Sequence, residues 1–247
     1  MLAAADYFDL KTTALAGLFE GTDRVWEAVA RIGPWIAQRF AGGLQPGYAG
    51  ARLADTVVFG DGPVFIGPGT RVGPAVFIEG PALIGANCEI RHGALLRANT
   101  ILGDGAIVGH ASETKNALLL ERAAAPHLAY VGDSILGQRV NLGAGSVLSN
   151  VGLTSRAQPG APRRHITLRC GGREYDSGLR KLGAILGDDV ELGCNCVTNP
   201  GVLIGPRSLV YALSSLPRGC YPADSIIKLR QTQEIVHRTR IQPSAGS

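Results

Sequence analysis

Residues 66–109 read IGPGTRVGPAVFIEGPALIGANCEIRHGALLRANTILGDGAIVG. Counting in sixes from Ile66 gives Ile66, Val72, Ile78, Ile84, Ile90, Leu96, Leu102 and Val108, each a branched aliphatic. The next residue is often glycine, as at Gly67, Gly73, Gly85, Gly103 and Gly109. Four residues after each aliphatic the side chain is small or modest: Thr70, Val76, Ala82, Cys88, Ala94, Thr100, Ala106 and Ser112. A period of six matches neither the α-helix nor the alternation of a simple strand. It is the spacing of short strands joined by tight corners, three strands to a coil. The aliphatic points into a narrow prism, the small residue fills beside it, and glycine supplies the backbone angles of a corner. Such coils stack into a solenoid. The expected fold is all-β, a left-handed parallel β-helix.

The phase continues beyond this stretch with interruptions. It resumes at Leu136, Leu142 and Leu148, and again at Leu186, Leu192, Thr198, Ile204 and Val210. Val190, Cys196, Val202 and Ser208 hold the small positions there. Neither the step from Leu120 to Leu136 nor that from Leu148 to Leu186 is a multiple of six. The second gap contains TSRAQPGAPRRH, polar and rich in Pro and Gly. Residues 151–183 therefore read as a loop thrown out from the prism, with a hairpin made of ITLRC, GG and REY. Long loops in compact domains are usually functional or disordered. This one is expected to be mobile and to close over a bound acceptor.

Residues 1–45 lack the period. Leu18, Val25, Trp26, Val29 and Ile32 mark one face of a helix. Residues 223–240, ADSIIKLRQTQEIVHRTR, read as a second helix with Asp224 or Ser225 near its N-cap. The expected layout is an N-terminal helical cap over 1–50, the β-helix over 51–220 with its inserted loop, and a C-terminal helix and tail over 221–247. Both helical segments would close the open ends of the solenoid.

Composition narrows the function. The chain of 247 residues is 45% apolar but only 6% aromatic, and holds 34 glycines. Its net charge of +4 is mild. The basic residues are scattered, which argues against a nucleic-acid interface and suits small anionic ligands. Asp6, Asp9 and Lys11 interrupt the first residues, so no signal peptide is expected, and no apolar run reaches membrane-spanning length. None of the five cysteines forms a CxxC pair, so neither a disulfide framework nor a zinc site is signalled. A cytoplasmic, reducing location follows as the expectation. The five histidines are spaced by 18, 17, 38 and 72 residues. A zinc site of the kind found in γ-class carbonic anhydrases needs two close histidines, so no metal is expected, although His92 and His110 would stack one coil apart. The string GPGTRVG at Gly67–Gly73 is similar to a nucleotidyltransferase phosphate loop. It lies in phase with the repeat and reads as an ordinary rung.

Residues 95–150 carry more than the repeat. Glu113–Asn116 reads ETKN, His127–Asp133 reads HLAYVGD, and Asn141–Gly145 reads NLGAG. Farther on come GLRKLGAILGDDVELG and PGVLIG. Over roughly residues 65–215 the chain resembles the acetyltransferase domain of the bifunctional N-acetylglucosamine-1-phosphate uridyltransferase/glucosamine-1-phosphate acetyltransferase family. The resemblance implies an acetyl-CoA-dependent N-acetyltransferase acting on an amino-sugar 1-phosphate, with no metal needed for acetyl transfer. It implies His127 as general base. It implies Arg97, Lys115 and Lys181 as ligands of the sugar phosphate, and Tyr130, Asn141 and Asn150 as sugar-binding residues. Ala144, Cys194 and Ala212 match positions along the acetyl-CoA track. It also implies a homotrimer with sites between neighbouring prisms.

The chemistry is consistent with those roles. An amine attacks a thioester only as the free base, so a group that titrates near neutrality must take its proton. Cations around a phosphate give charge-assisted hydrogen bonds. A backbone N–H near Ala144 would stabilise the oxyanion. Two departures stand out. The 65 or so residues ahead of the match are too few for the nucleotidyltransferase domain, so uridyl transfer is not expected. Val151 stands where an aromatic often follows the Asn150-type residue. Three functions stay open: this acetyltransferase, an acyltransferase with another acceptor or a longer acyl donor, and a non-catalytic scaffold serving a separate sugar nucleotidyltransferase. A scaffold has no need of Arg97, Lys115, His127 and Lys181 together, which favours an enzyme.

Overall fold

The computed structural model describes residues 2–153, 160–230 and 232. The period of six becomes a prism. Among the described residues, short strands pair in parallel into three sheets of nine, eight and eight strands. The chain meets the faces in a fixed order, beginning with Arg52–Leu53 on the first face, Val58–Phe59 on the second and Val64–Ile66 on the third. The first edge joins the first and second faces, the second edge joins the second and third, and the third edge returns the chain to the first. The eight aliphatics from Ile66 to Val108 all lie in one buried core inside the prism. Each is worth about 1.5–3 kcal/mol on burial, so this dry column is the main source of cohesion.

The regular coil spans 18 residues, as from Arg71 to Glu89. The next but one spans 17, from Ile107 to Ala124, and so does its successor, from Ala124 to Asn141. Both shortenings fall at the second edge. Leu95 and Thr100 are five residues apart, whereas their ladder partners Glu113 and Ala117 are four apart. The inward residues after Val108 are therefore Thr114, Leu119, Ala125, Val131 and Leu136. Leu120, inward by a fixed count of six, instead joins a second cluster outside the prism. The loop after Leu148 enters at this same edge, between the second-face strand Val147–Leu148 and the third-face strand Ala184–Leu186.

A third shortening at Pro217–Arg218 corrects the C-terminal expectation. Val197 and Val202 are five residues apart, and their partners Ser215 and Gly219 are four apart. Asp224, at φ 56°, then sits in a turn of the third edge, and Ile226–Ile227 pair with Leu209–Val210 as another first-face strand. No helix forms over 223–230, so Asp224 and Ser225 cap none. The remainder of that expected helix, at 231 and 233–240, lies outside the described residues.

The third face is covered by the chain itself. Its outward residues Leu83, Ile101, Leu118, Ile135, Ile185 and Leu203 form an apolar column buried under other segments. The helix Glu27–Ala41 lies there with Ala28, Val29, Ile32 and Ile36 inward. Val25 and Trp26 precede this helix, and Leu18 sits in a separate 3-10 turn. The N-terminal segment thus runs along a flank of the prism. Thr13 and Gln138 help fasten it to the third edge, through Glu121 and through Thr12 and Asp9.

The expected hairpin is present as Thr167–Cys170 antiparallel to Arg173–Asp176. It docks beside the helix, with Ile166, Leu168 and Cys170 buried and Trp26 edge-on to Tyr175. This corrects the reading of the whole loop as a mobile lid. A disulfide between Cys170 and Cys220 ties the hairpin to the third-face strand Gly219–Tyr221. That bond corrects the reading of the cysteines, whose spacing gave no sign of one. Among the described residues no helix is long and apolar enough to cross a membrane.

Candidate active site

The first edge keeps one conformation in coil after coil. Gly93, Ala111, Leu128, Gly145, Asn195 and Leu213 all take positive φ there. From Ala111 onward, each donates its N–H to the residue ahead of the matching corner one coil back. Ala111 bonds His92 O, Leu128 bonds His110 O and Gly145 bonds His127 O. Asn195 then bonds Ala144 O and Leu213 bonds Cys194 O. His92, His110, His127, Ala144, Cys194 and Ala212 therefore stand in one line along the edge. The imidazoles of His92 and His110 stack with centroids 4.0 Å apart, as their spacing suggested. His127 is exposed, and its ring makes no hydrogen bond among the described residues. Beyond it the side chains shrink to Ala, Cys and Ala. Among the described residues the N–H groups of Ala144, Cys194 and Ala212 meet no acceptor. This leaves a strip of donors spaced by the ladder repeat of about 4.8 Å.

The second edge is built differently. The first two shortened corners each turn on a polar residue in the left-handed region, Asn116 at φ 46° and Asp133 at φ 47°. Asp133 is 5% exposed and gathers three partners. Asn116 Nδ2 donates to its Oδ1 at 3.0 Å, Asn150 Nδ2 donates to its Oδ2 at 2.5 Å, and Lys115 Nζ lies 3.6 Å away. Asn150 also donates to the Tyr130 hydroxyl at 3.2 Å. Burial pushes the Tyr130 phenol above its ordinary range; the Asn150 hydrogen bond works against this, and Glu113 and Asp133 nearby add to it. The phenol thus stays protonated near neutrality, with its own proton unclaimed among the described residues. Gly132 is required beneath it, since a Cβ there would stand 2.6 Å from the Tyr130 oxygen and 2.7 Å from Asn150 Nδ2.

The residues assigned from sequence divide between these edges. His127, Ala144, Cys194 and Ala212 share the first. Arg97, Lys115, Tyr130 and Asn150 cluster at the second and on the adjoining second face. Asn141 is exposed on the first face, three residues before Ala144. Lys181 is exposed beside Leu182, whose N–H donates to Asn150 O at 3.1 Å. The structure does not join the three cations into one open anion site. Arg97 is bonded to Glu113 at 2.9 Å and Lys115 faces Asp133. Glu113, Asn116 and Asp133 are the residues that sequence reasoning passed over. All three stood inside the quoted motifs, and carboxylates beside presumed phosphate ligands were the available signal. Among the described residues no three His, Cys, Asp or Glu side chains are placed to hold a metal ion.

Comparison with known proteins adds kinship. No family model matches the chain. The bifunctional protein GlmU of Methanococcus maripaludis is 38% identical over 114 residues, 46% of this chain and 26% of that protein. A bifunctional sugar-1-phosphate nucleotidylyltransferase/acetyltransferase of Sulfurisphaera tokodaii is 35% identical over 112 residues, 45% of this chain and 26% of that protein. The GlmU of Methanococcus aeolicus is 33% identical over 189 residues, 76% of this chain and 43% of that protein. The chain thus spans about a quarter of the length of the first two relatives. Among solved structures, the UDP-N-acetylglucosamine acyltransferase of Francisella novicida aligns over 70% of this chain and 61% of that one, at 16% identity and a TM-score of 0.35.

Proposed function

This chain is a hexapeptide-repeat relative of the acetyltransferase region of the bifunctional GlmU proteins, and we propose that it moves an acetyl group from acetyl-CoA onto the amine of an amino-sugar 1-phosphate. Glucosamine 1-phosphate is the first candidate acceptor. The observation that carries the reading is the line along the first edge. It sets an exposed imidazole, without a hydrogen bond among the described residues, at the head of a strip of small side chains and N–H groups. Such a strip suits an extended arm with amide groups of its own, as acetyl-CoA has.

In this mechanism the neutral imidazole of His127 takes a proton from the amine as the nitrogen attacks the thioester carbonyl. The Ala144 N–H, one coil along, faces the developing oxyanion. The carbon–sulfur bond then breaks, the amide forms, and the proton on His127 goes to the departing CoA thiolate. Tyr130 and Asn150 hold sugar hydroxyls, and Asn141 approaches from the first face. Lys115, Arg97 and Lys181 remain the assigned phosphate ligands, but a phosphate at the first two competes with Asp133 and Glu113. That competition favours a second reading in which the acceptor's main anion lies elsewhere. A homotrimer, with a neighbouring prism closing the site, belongs to the same proposal, as does a separate nucleotidyltransferase partner. So does a cytoplasmic setting, against which the Cys170–Cys220 bond counts.

The test is release of CoA thiol from acetyl-CoA across a panel of amino sugars and their 1-phosphates. Turnover on at least one phosphorylated amino sugar, well above its unphosphorylated form, is expected. Equal rates on both remove the phosphate roles. No turnover on any of them, together with no CoA binding by calorimetry, leaves the scaffold.

A further inference from the structure

The inserted loop returns to the prism through a strongly basic cavity of about 640 Å³. Its walls carry Arg163, Arg164, Arg180, Arg218, the imidazole of His165 and a single carboxylate, Asp176. Asp176 is already engaged. It accepts the Gly178 N–H at 2.8 Å and lies 3.2 Å from His165 Nδ1.

Elsewhere the arginines divide: several face carboxylates, while others, such as Arg31 on backbone carbonyls, make no ion pair among the described residues. Arg97, Arg139, Arg169 and Arg207 each face a carboxylate. Arg71 and Arg91 share Glu89. Arg164, Arg180 and Arg218 have no ion pair among the described residues, and Arg218 bonds only Thr167 O and Oγ1. Like charges that outnumber the counter-charge around a cavity raise its affinity for anions. Guanidinium forks match phosphate oxygens two at a time.

Position assigns the cavity to the acceptor side. It opens on the second edge, where the loop leaves and Arg218 occupies the later shortened corner. Gly152 lines it two residues beyond Asn150, and Arg180 lies two residues before Leu182, which is bonded to Asn150 O. Two residues span at most about 7 Å. The line of Ala144, Cys194 and Ala212 runs along a different edge.

We propose that this arginine cavity binds a diphosphate, and that the diphosphate is the distal anion of the acceptor whose sugar end meets Asn150. The acceptor class is then an amino sugar linked to a diphosphate, as in a sugar nucleotide. This assignment to the acceptor rests on the acyl-transfer reading above. The existence of the anion site does not.

Calorimetry on the full chain with inorganic pyrophosphate tests it, with CoA titrated separately. The wild type is expected to bind pyrophosphate, and the Arg164→Ala/Arg180→Ala double variant to bind it at least 10-fold more weakly. Its affinity for CoA should stay within 2-fold. Both side chains are exposed, so the fold should survive, and matching melting curves check this. Arg180→Lys should restore only part of the affinity lost in Arg180→Ala, because an ammonium cannot fork. No pyrophosphate binding by the wild type, or equal binding by the double variant, overturns the site. A parallel loss of CoA affinity makes it a donor site and overturns the acceptor assignment. Absence of acyl transfer to every amino sugar, with pyrophosphate binding intact, sinks the proposed reaction and leaves the diphosphate site standing.

Discussion

The first and second edges run along the same prism and are built from the same coils. At the first edge each turn repeats: one left-handed residue, one N–H to the coil before, one side chain in line with its neighbours. At the second edge three turns lose a residue and one gains a long loop. The regular edge therefore offers a periodic track, suited to a ligand that is itself extended. The irregular edge offers individual side chains brought together once. A repeat protein gains specificity where its repeat fails.

Asp133→Ala should have the largest effect on stability. It removes a nearly buried carboxylate and strands Lys115, Asn116 and Asn150 together. Loss of one partner from a buried ion pair costs roughly 3–5 kcal/mol, and Lys115, a quarter exposed, puts this case near the lower end. Denaturant unfolding checks it. A loss under about 1 kcal/mol would mean that the irregular edge is held from elsewhere.

His127→Ala, on the regular edge, should spare stability and strike the rate. Turnover should fall about 100-fold or more, the usual scale of general-base catalysis, which is about 2.7 kcal/mol of barrier. Unchanged turnover in a folded His127→Ala protein removes the mechanism. His110→Ala should do less, its ring being stacked on His92.

Reduction of Cys170–Cys220, or Cys220→Ser, should have the smallest effect of the three. A disulfide typically contributes about 2–4 kcal/mol. Ile166 and Leu168 continue to anchor the hairpin, so about 2 kcal/mol is expected, seen as a lower melting temperature in thiol. Equal melting with and without thiol would show the hairpin held by packing alone.

The fold was legible because Ile66 to Val108 keep strict count. What escaped the sequence has one main cause. A corner shortened by one residue moves everything after it out of phase with a fixed count of six. That is why Leu120 looked inward while Leu119 is, and why Ile226–Ile227 read as helical when they continue the first face. The outward apolar column on the third face was readable at coil spacing. It foretells a covering layer, and hence a flank-lying helix and a docked hairpin. Within the candidate site, the motifs fall at two edges of the prism, and the line through His127 and Ala144 follows from coil length. Asp133 escaped because a carboxylate beside a presumed phosphate ligand runs against simple charge matching. The disulfide escaped because its cysteines lie 50 residues apart.

The shortened coils carry one more consequence, for descent. Each deletion at Asn116 or Asp133 is absorbed within its own corner, and the chain re-enters the ladder in register on the other two edges. His110 still pairs with His127 across a 17-residue coil. A lineage can therefore cut or lengthen one corner, turn by turn, while inheriting the opposite edge unaltered. In such a molecule the second edge is free to diverge while the first stays fixed.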